Sequence, residues 1–516
     1  MKKIRILWAD DEIDLLKPQI LFLQQKGYEI EPVTNGHDAI EKCREEAFDV
    51  VFLDESMPGI TGLETLTHIK TLNNNLPVVM ITKNEAEHIM EDAIGAQITD
   101  YLIKPVNPNQ ILLTLKKIID NKRLVGEATT QGYQQEFTRI FSAIQMGLDH
   151  REWVDIYKKL VYWELELDSA ETQDMREVLA AQKREANTEF FKFINKNYLN
   201  WVGNKGDIPT MSHNLFRDKI MPVLNPDITN FVVLIDNLRY DQWKTIQPII
   251  SEFFRFLSED TFYSILPTST HYSRNAIFAG MMPSEIERRY PNWWLNDADE
   301  GGKNLHEQDF LAEQLKRSGY THKHSYTKIT NHNDGQFLVD NIHNLLQNKL
   351  NVIVYNFVDM LSHARTEMEV LKELASDEAA YRSITRSWFL HSPLWQALKR
   401  IEDKKINIII TTDHGTVRVQ QPSKVIGDRE TTTNLRYKHG KNLQYNSKDV
   451  FEIRRPADAK LPAPNVSSSF IFAKEDLFFV YPNNYNHYVN YYKNTFQHGG
   501  ISLEEIIVPI ARFTSK

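Results

Sequence analysis

The first 120 residues alternate short apolar runs with amphipathic stretches. RILWA, YEIEPV, DVVFLD, PVVMIT and DYLIKP read as strands, while DLLKPQILFLQQKG, DAIEKCREEAF, LETLTHIKTL, AEHIMEDAIG and QILLTLKKIID read as helices. Strand and helix in strict alternation predict an α/β, doubly wound parallel sheet. From residue 122 to about 205 the period becomes helical, with stripes at Phe137, Ile140, Phe141 and Ile144, then Trp153, Ile156, Tyr157, Leu160 and Val161, then Phe190, Phe193 and Ile194. Spacings of three and four place these on three helices, and DSAETQDMREVLAAQKREANTE between them is a solvated face. After the break MPVLNPDITN come apolar runs that end in polar residues: FVVLID, NVIVYNFVDMLSH, IIITTDHG and FQHGGISLEEIIVPI. Strands that read as one hydrophobic run are covered on both faces, so a second α/β sheet is expected. Three segments result: 1–121, 122–207 and 208–516.

Length agrees with that count, since 516 residues exceed what one core holds. Hydrophobic residues at 41% and charged residues at 25% exclude disordered and collagen-like classes. A single cysteine excludes an internal disulfide, and a net charge of -9 argues against broad binding of long nucleic acid. A local basic pocket for a short oligonucleotide stays open. No apolar run approaches the roughly 18 residues of a membrane span, so a cytoplasmic chain without membrane association is expected. No helix-turn-helix pattern or basic recognition helix is evident, so direct DNA binding is not expected.

In the first segment the strand ends carry chemistry. Asp10, Asp11 and Glu12 follow the first strand, Asp54 the third, Thr82 the fourth and Lys104 the fifth, all at one edge of the sheet. Converging carboxylates repel unless a hard cation sits among them, and oxygen ligands suit Mg²⁺. Asp54 could then act as nucleophile toward phosphorus, with Lys104 and Thr82 meeting the developing charge. Each residue alone could instead be a helix cap or a solvated loop residue. Together they resemble the flavodoxin-like receiver domain of two-component response regulators. That resemblance implies Asp54 as phosphoacceptor, one Mg²⁺ on Asp10, Asp11, Asp54 and the Ser56 carbonyl, a switch pair Thr82 and Tyr101, and a cis peptide at Lys104-Pro105. Trp8 in the first strand is a bulky departure that bears on packing.

The connector at 122–207 is either a passive spacer or a dimerisation element that reports the receiver's state. Its sequence does not separate the two.

In the large segment Asp236, Asp359, Asp413, His363, His414 and His498 stand at strand ends, His363 four residues after Asp359. Carboxylate with imidazole suits zinc or a similar ion, and six residues exceed the three that one catalytic zinc takes. Two ions are accommodated if a further ligand or a nucleophile joins. Candidate hydroxyls are Thr268, Ser269 and Thr270 in LPTSTHYSRNAIFAG, which are also suitable helix caps.

These motifs resemble the alkaline phosphatase superfamily and its PglZ branch. The resemblance implies one Zn²⁺ on Asp236, Thr270, Asp413 and His414, a second on Asp359, His363 and His498, and Thr270 as the nucleophile. It also offers Asn292 as a weak match for a phosphate-holding Asn. A receiver joined through a helical connector to such a domain is similar to response regulators associated with type IX secretion. That likeness implies a sensor histidine kinase as phosphodonor, an extracytoplasmic-function sigma factor as partner, a homodimer on phosphorylation, and zinc phosphodiesterase activity on nucleotides or oligonucleotides. The alternative is a receiver-controlled regulator whose phosphatase fold serves as a binding platform.

Overall fold

The computed structural model describes residues 4–73, 76–83, 98–170, 173–356, 377–428, 431–463 and 467–516. The chain divides into two compact units, Met1–Gln131 and Gly132–Lys516.

The first unit is built on strands β1 (Arg5–Ala9), β2 (Glu29–Val33), β3 (Val50–Asp54), β4 (Val78–Thr82) and β5 (Asp100–Ile103). They lie in the order β2-β1-β3-β4-β5, all parallel. β3 and β4 are buried at every position because helices cover both faces, whereas edge strand β2 buries only Ile30 and Val33. The helix Gly36–Glu45 starts at Asn35, whose side chain accepts from Asp38 N, and Gly62–Leu72 starts in a capping box between Thr61 and Glu64. Side chains alternate between two cores: Ile6, Trp8, Phe52, Val79 and Ile81 face one layer, Leu7, Ala9, Val51 and Leu53 the other. Trp8 is fully buried, its ring centroid 5.3 Å from that of Phe52. The strand order reverses at β1 and β3, so ligands are expected beyond their carboxyl ends. The helix read from AEHIMEDAIG lies outside the described residues.

The helix read from QILLTLKKIID does not stop near residue 121. One helix runs from Pro108 to Met146. Between Gln110 and Met146 there is no proline, and Gly126 and Gly132 are tolerated at about 1 kcal/mol each. Two more connector helices follow, His150–Ser169 and Gln173–Val202.

The second unit contains a six-stranded sheet of β6 (Thr229–Ile235), β7 (Phe254–Tyr263), β8 (His324–Ile329), β9 (Leu350–Tyr355), β10 (Ile406–Thr411) and a last strand, Ile507–Ser515. Between β10 and that strand come, among the described residues, seven short ones: β11 (Val417–Arg418), β12 (Gln421–Lys424), β13 (Tyr437–Gly440), β14 (Val450–Ile453), β15 (Ser469–Ala473), β16 (Leu477–Val480) and β17 (Phe496–Gln497). The last is therefore β18. The order is β7-β18-β10-β6-β9-β8, with β10, β6, β9 and β8 parallel and β18 antiparallel to both of its neighbours, β10 and β7. β6, β9 and β10 are buried throughout, as their unbroken apolar runs require. The chain crosses from one side of β6 to the other between β9 and β10, which opens a crevice at the carboxyl ends of β6 and β10.

The connector shares this unit's core. Trp153, Tyr157, Phe190 and Ile194 join the apolar cluster that contains β6 and Tyr263, and the Tyr263 hydroxyl donates to the His150 carbonyl at 2.7 Å. Among the described residues no helix is long and apolar enough to cross a membrane.

Candidate functional site

At the carboxyl edge of the first sheet, carboxylate oxygens of Asp10, Asp11 and Asp54 lie within 4.8 Å of one another. Asp10 and Asp54 are buried and Asp11 is exposed, so the cluster opens to solvent on one side. The Lys104 ammonium sits 2.8 Å from Asp10 Oδ2 and 2.9 Å from Asp54 Oδ1. Burial pushes the Asp54 carboxyl upward, Lys104 opposes this, and Asp10 and Asp11 add to it. Burial likewise works to lower the Lys104 ammonium, but Asp10 and Asp54 outweigh it and its pKa is raised. An oxygen-only donor set with an exposed member fits a magnesium ion. The Lys104-Pro105 peptide is cis. Ser56 is exposed, Thr82 is buried, and Tyr101 is 41% exposed. The Thr82 hydroxyl donates to the Glu55 carboxylate, a partner the sequence reading did not weigh although it adjoins Asp54.

At the crevice of the second sheet, Asp236 follows β6 and Asp413 and His414 follow β10. Their ligand atoms lie within 4.8 Å of one another and all three residues are buried. Two contacts lock the strand ends together: Asn237 N donates to Asp413 Oδ1 at 3.1 Å, and Leu238 N to Thr412 Oγ1 at 2.9 Å. Asp413 Oδ1 also accepts from His414 N at 3.1 Å, which turns Oδ2 toward the cluster. His414 Nδ1 stands 3.0 Å from the Gly415 carbonyl. A carbonyl only accepts, so Nδ1 carries the proton and Nε2 is the lone-pair nitrogen, as a metal-binding imidazole requires. Gly415 owes its place to crowding: a Cβ there would lie 1.9 Å from the Glu504 carbonyl oxygen. A glycine stands there because the backbones approach closely, not because the chain needs a flexible turn.

Thr270 lies on this cluster. Its Oγ1 is 3.1 Å from His414 Nε2 and 3.3 Å from Asp236 Oδ1. It opens a widened helical turn, Thr270–Arg274, after the buried Ser269, whose side chain makes no capping hydrogen bond. Thr268 is fully buried and engaged elsewhere: its hydroxyl donates to the Gly500 carbonyl at 2.9 Å and accepts from Gly499 N at 3.1 Å. Thr270 is partly exposed, and it alone of the three directs a hydroxyl at Asp236 and His414. His498, after β17, stacks on His414 with centroids 4.4 Å apart, and its Nδ1 meets the Thr268 carbonyl at 3.2 Å. The same donor argument makes its Nε2 the lone-pair atom. Asp359 and His363 lie outside the described residues. Asn292 is exposed. The amide that meets the Thr270 turn belongs to Asn304, whose Nδ2 donates to the Thr270 carbonyl at 3.0 Å.

Arg274 is the principal residue that the sequence reading missed. Its guanidinium is buried and pairs with Asp236 Oδ2 at 3.2 Å, Glu307 Oε1 at 2.8 Å and Asp413 Oδ2 at 3.7 Å, and donates to Asn356 Oδ1 at 2.8 Å. Burial opposes its charge, yet the three carboxylates outweigh burial and raise its pKa. Its signal was the four-residue step from Thr270, one helical turn. Glu307 and Asn356 carry no local signal. Oxygen and imidazole donors around a partly open hydroxyl fit zinc or a similar divalent ion.

This fold and these strand-end clusters define a response-regulator receiver followed by a helical linker and an alkaline-phosphatase-like α/β domain. Family models match in that order: a response regulator receiver domain over residues 6–116, a PorX response regulator linker domain over 123–202, and a BREX system PglZ alkaline phosphatase-like domain over 215–513. The chain belongs to the PglZ family, in a PorX-like fusion. The chain is 33% identical over 136 residues to the transcriptional regulatory protein ZraR of Klebsiella oxytoca, which is 26% of this chain and 31% of that one. It is 30% identical over 115 residues to ResD of Bacillus subtilis (strain 168), 22% of this chain and 48% of that one. The chain thus spans between about a third and a half of the length of these curated relatives. A CheY-like receiver structure from Methanospirillum hungatei JF-1 aligns with a TM-score of 0.23 at 27% identity, covering 23% of this chain and 96% of that one.

Proposed function

We propose that the chain is a response regulator phosphorylated on Asp54 by a histidine kinase, and that its PglZ domain is a zinc phosphodiesterase acting on nucleotide or oligonucleotide substrates. The observation that carries the enzymatic reading is the placement of Thr270 Oγ1 at 3.1 Å from His414 Nε2 and 3.3 Å from Asp236 Oδ1. A binding platform does not require a partly exposed hydroxyl held on a buried ligand cluster. Asp236, Asp413, His414 and the Thr270 hydroxyl would hold one zinc ion, and His498 would belong to a second with Asp359 and His363. Bound zinc would supply Lewis acidity that lowers the pKa of an attached oxygen by several units.

The chain's own part is positional. The Thr270 turn directs Oγ1 at phosphorus, and the proton leaves Oγ1 to solvent as the new O–P bond forms. The bond to the leaving alkoxide breaks opposite, the alkoxide departs as an alcohol with a proton from solvent, and water then hydrolyses the phosphothreonine to free the Thr270 hydroxyl and a phosphomonoester. Receiver phosphorylation is expected to favour a homodimer. Type IX secretion and an extracytoplasmic-function sigma factor are the setting carried over from the likeness of the whole chain to that class of regulator.

The test is Thr270→Ala on bis(p-nitrophenyl) phosphate, with p-nitrophenyl phosphate as the monoester comparison and zinc content by elemental analysis. The variant is expected to stay folded, retain zinc and lose diester turnover by several orders of magnitude. Turnover at the wild-type rate would place the nucleophile elsewhere.

A further inference from the structure

The connector helix Gln173–Val202 meets the PglZ domain through buried polar contacts, among them Leu266 N donating to the Tyr198 hydroxyl at 2.8 Å and the contact made by Asn187. Asn187, 7% exposed, grips the short helix Leu503–Ile506: its Oδ1 accepts from Leu503 N at 2.7 Å and its Nδ2 donates to Glu504 Oε2 at 3.1 Å. One turn earlier on the connector, Lys183 Nζ lies 3.5 Å from Glu504 Oε1 and 2.6 Å from Glu164 of the neighbouring connector helix. The gripped segment is four residues long and has little propensity to hold itself.

Three segments of the catalytic cluster hang from it. Glu505 accepts from Gly500 N at 2.9 Å, and Gly500 in turn receives the Thr268 hydroxyl at 2.9 Å, which fixes the loop bearing His498. The Glu505 carbonyl accepts from Gly415 N at 3.2 Å, and the Glu504 carbonyl is packed so closely on Gly415 that no Cβ fits between. Ile506 O accepts from Ser264 N at 2.8 Å, while the Ser264 hydroxyl donates to the Asp413 carbonyl at 2.8 Å. Arg436 closes the hub from the other side, 2.7 Å from Glu505 Oε2.

We infer that Asn187 is a positioning residue for the catalytic cluster, so that the connector sets the geometry of the metal site through the Leu503–Ile506 segment. The inference rests on the reading of that cluster as a zinc site. It makes the connector part of the catalytic apparatus and gives any change in the connector helices a route to His414 and His498. The physical reason is that ligands must be held within a few tenths of an ångström, and outer partners that orient them commonly change metal affinity by about 10–100-fold.

The experiment uses the full chain as wild type, Asn187→Ala, Asn187→Asp and the double variant Asn187→Asp/Glu504→Gln. Lys192→Ala, an exposed position on the same helix, is the control. Zinc affinity is read by competition with a chromogenic chelator, kcat and KM on bis(p-nitrophenyl) phosphate, and folding by circular dichroism. Asn187→Ala is expected to weaken zinc about tenfold or more and to lower kcat with KM within about twofold. Asn187→Asp sets a carboxylate against Glu504 and is expected to weaken zinc further, and Glu504→Gln in the same chain to restore it. Folded Asn187→Ala with wild-type zinc affinity and kcat overturns the inference. Should Asn187→Ala fail to fold, the carboxylate pair decides: loss of affinity that Glu504→Gln does not restore overturns it. A wild type that binds no zinc would instead overturn the reading of the cluster.

Discussion

Replacing Arg274 with methionine removes a buried cation from a nest of three carboxylates while keeping much of the side chain's volume. The guanidinium is the cation nearest Asp236 and Asp413 among the described residues, at 3.2 and 3.7 Å, and it shares Glu307 with Lys328, which lies 2.8 Å from Glu307 Oε2. Breaking a buried ion pair by deleting one partner costs about 3–5 kcal/mol, because the other charge is left in a low dielectric. Glu307 retains Lys328 and the Tyr326 hydroxyl, so the cost falls mainly on Asp236 and Asp413. A divalent ion bound by those two carboxylates would supply the missing positive charge. Zinc is therefore expected to stabilise Arg274→Met more than it stabilises the wild type, since binding to the native state adds stability in proportion to its own free energy. The assay is thermal melting of both proteins in chelator and in saturating zinc. The expected pattern is a large gap in chelator that narrows in zinc. Equal melting temperatures in chelator, or a gap that zinc leaves unchanged, would refute the role of Arg274 as the internal counter-cation of the ligand cluster.

Asp54→Ala is expected to show no mass increase on incubation with acetyl phosphate and magnesium, and uptake equal to the wild type would remove Asp54 as phosphoacceptor. Burial pushes the Cys43 thiol up to about 11 from its ordinary value of 9.0, so at pH 8 alkylation should run about a hundredfold slower than in the unfolded chain and keep accelerating past pH 9; a plateau near pH 9 in the folded protein contradicts this. Lys438, buried over the Tyr481 ring with Nζ donating to the Thr432 carbonyl at 2.9 Å, has its ammonium pushed down by burial to about 7 from 10.5. Between those values the unfolded chain holds a proton that the folded chain does not, so this group's contribution to stability rises as pH climbs through the window. Lys438→Met should accordingly melt above the wild type at pH 7, with the gap shrinking toward pH 10, and a gap independent of pH refutes it.

Much of the architecture was legible because covered strands are written as apolar runs, and VVFLD, FVVLI and INIIIT occupy strands buried at every position. The strand-end carboxylates and His414 were legible for a related reason. A chain leaving such a strand exposes its first polar residues at one sheet edge, so Asp54, Asp236, Asp413 and His414 could be placed by where their strands stop. What stayed hidden had no periodic signature. The short strands between Val417 and Val480 are two to five residues long, too brief for alternation to show, and the connector's first helix concealed its boundary because nothing in the sequence stops it. Side chains that act across the fold were hidden most deeply. Asn187 and Leu503 are separated by 316 positions, and an asparagine on a helix reads as solvated unless its partner's place is known. Arg274 differs in kind, for it lies one helical turn from Thr270 and reads as an ordinary surface arginine. Only the convergence of Asp236, Asp413 and Glu307, from three distant segments, keeps it buried. Strand ends state which residues share an edge. The charges and amides that hold those residues in register come from elements whose placement is a property of the whole packing, and there sequence pattern alone has nothing to read.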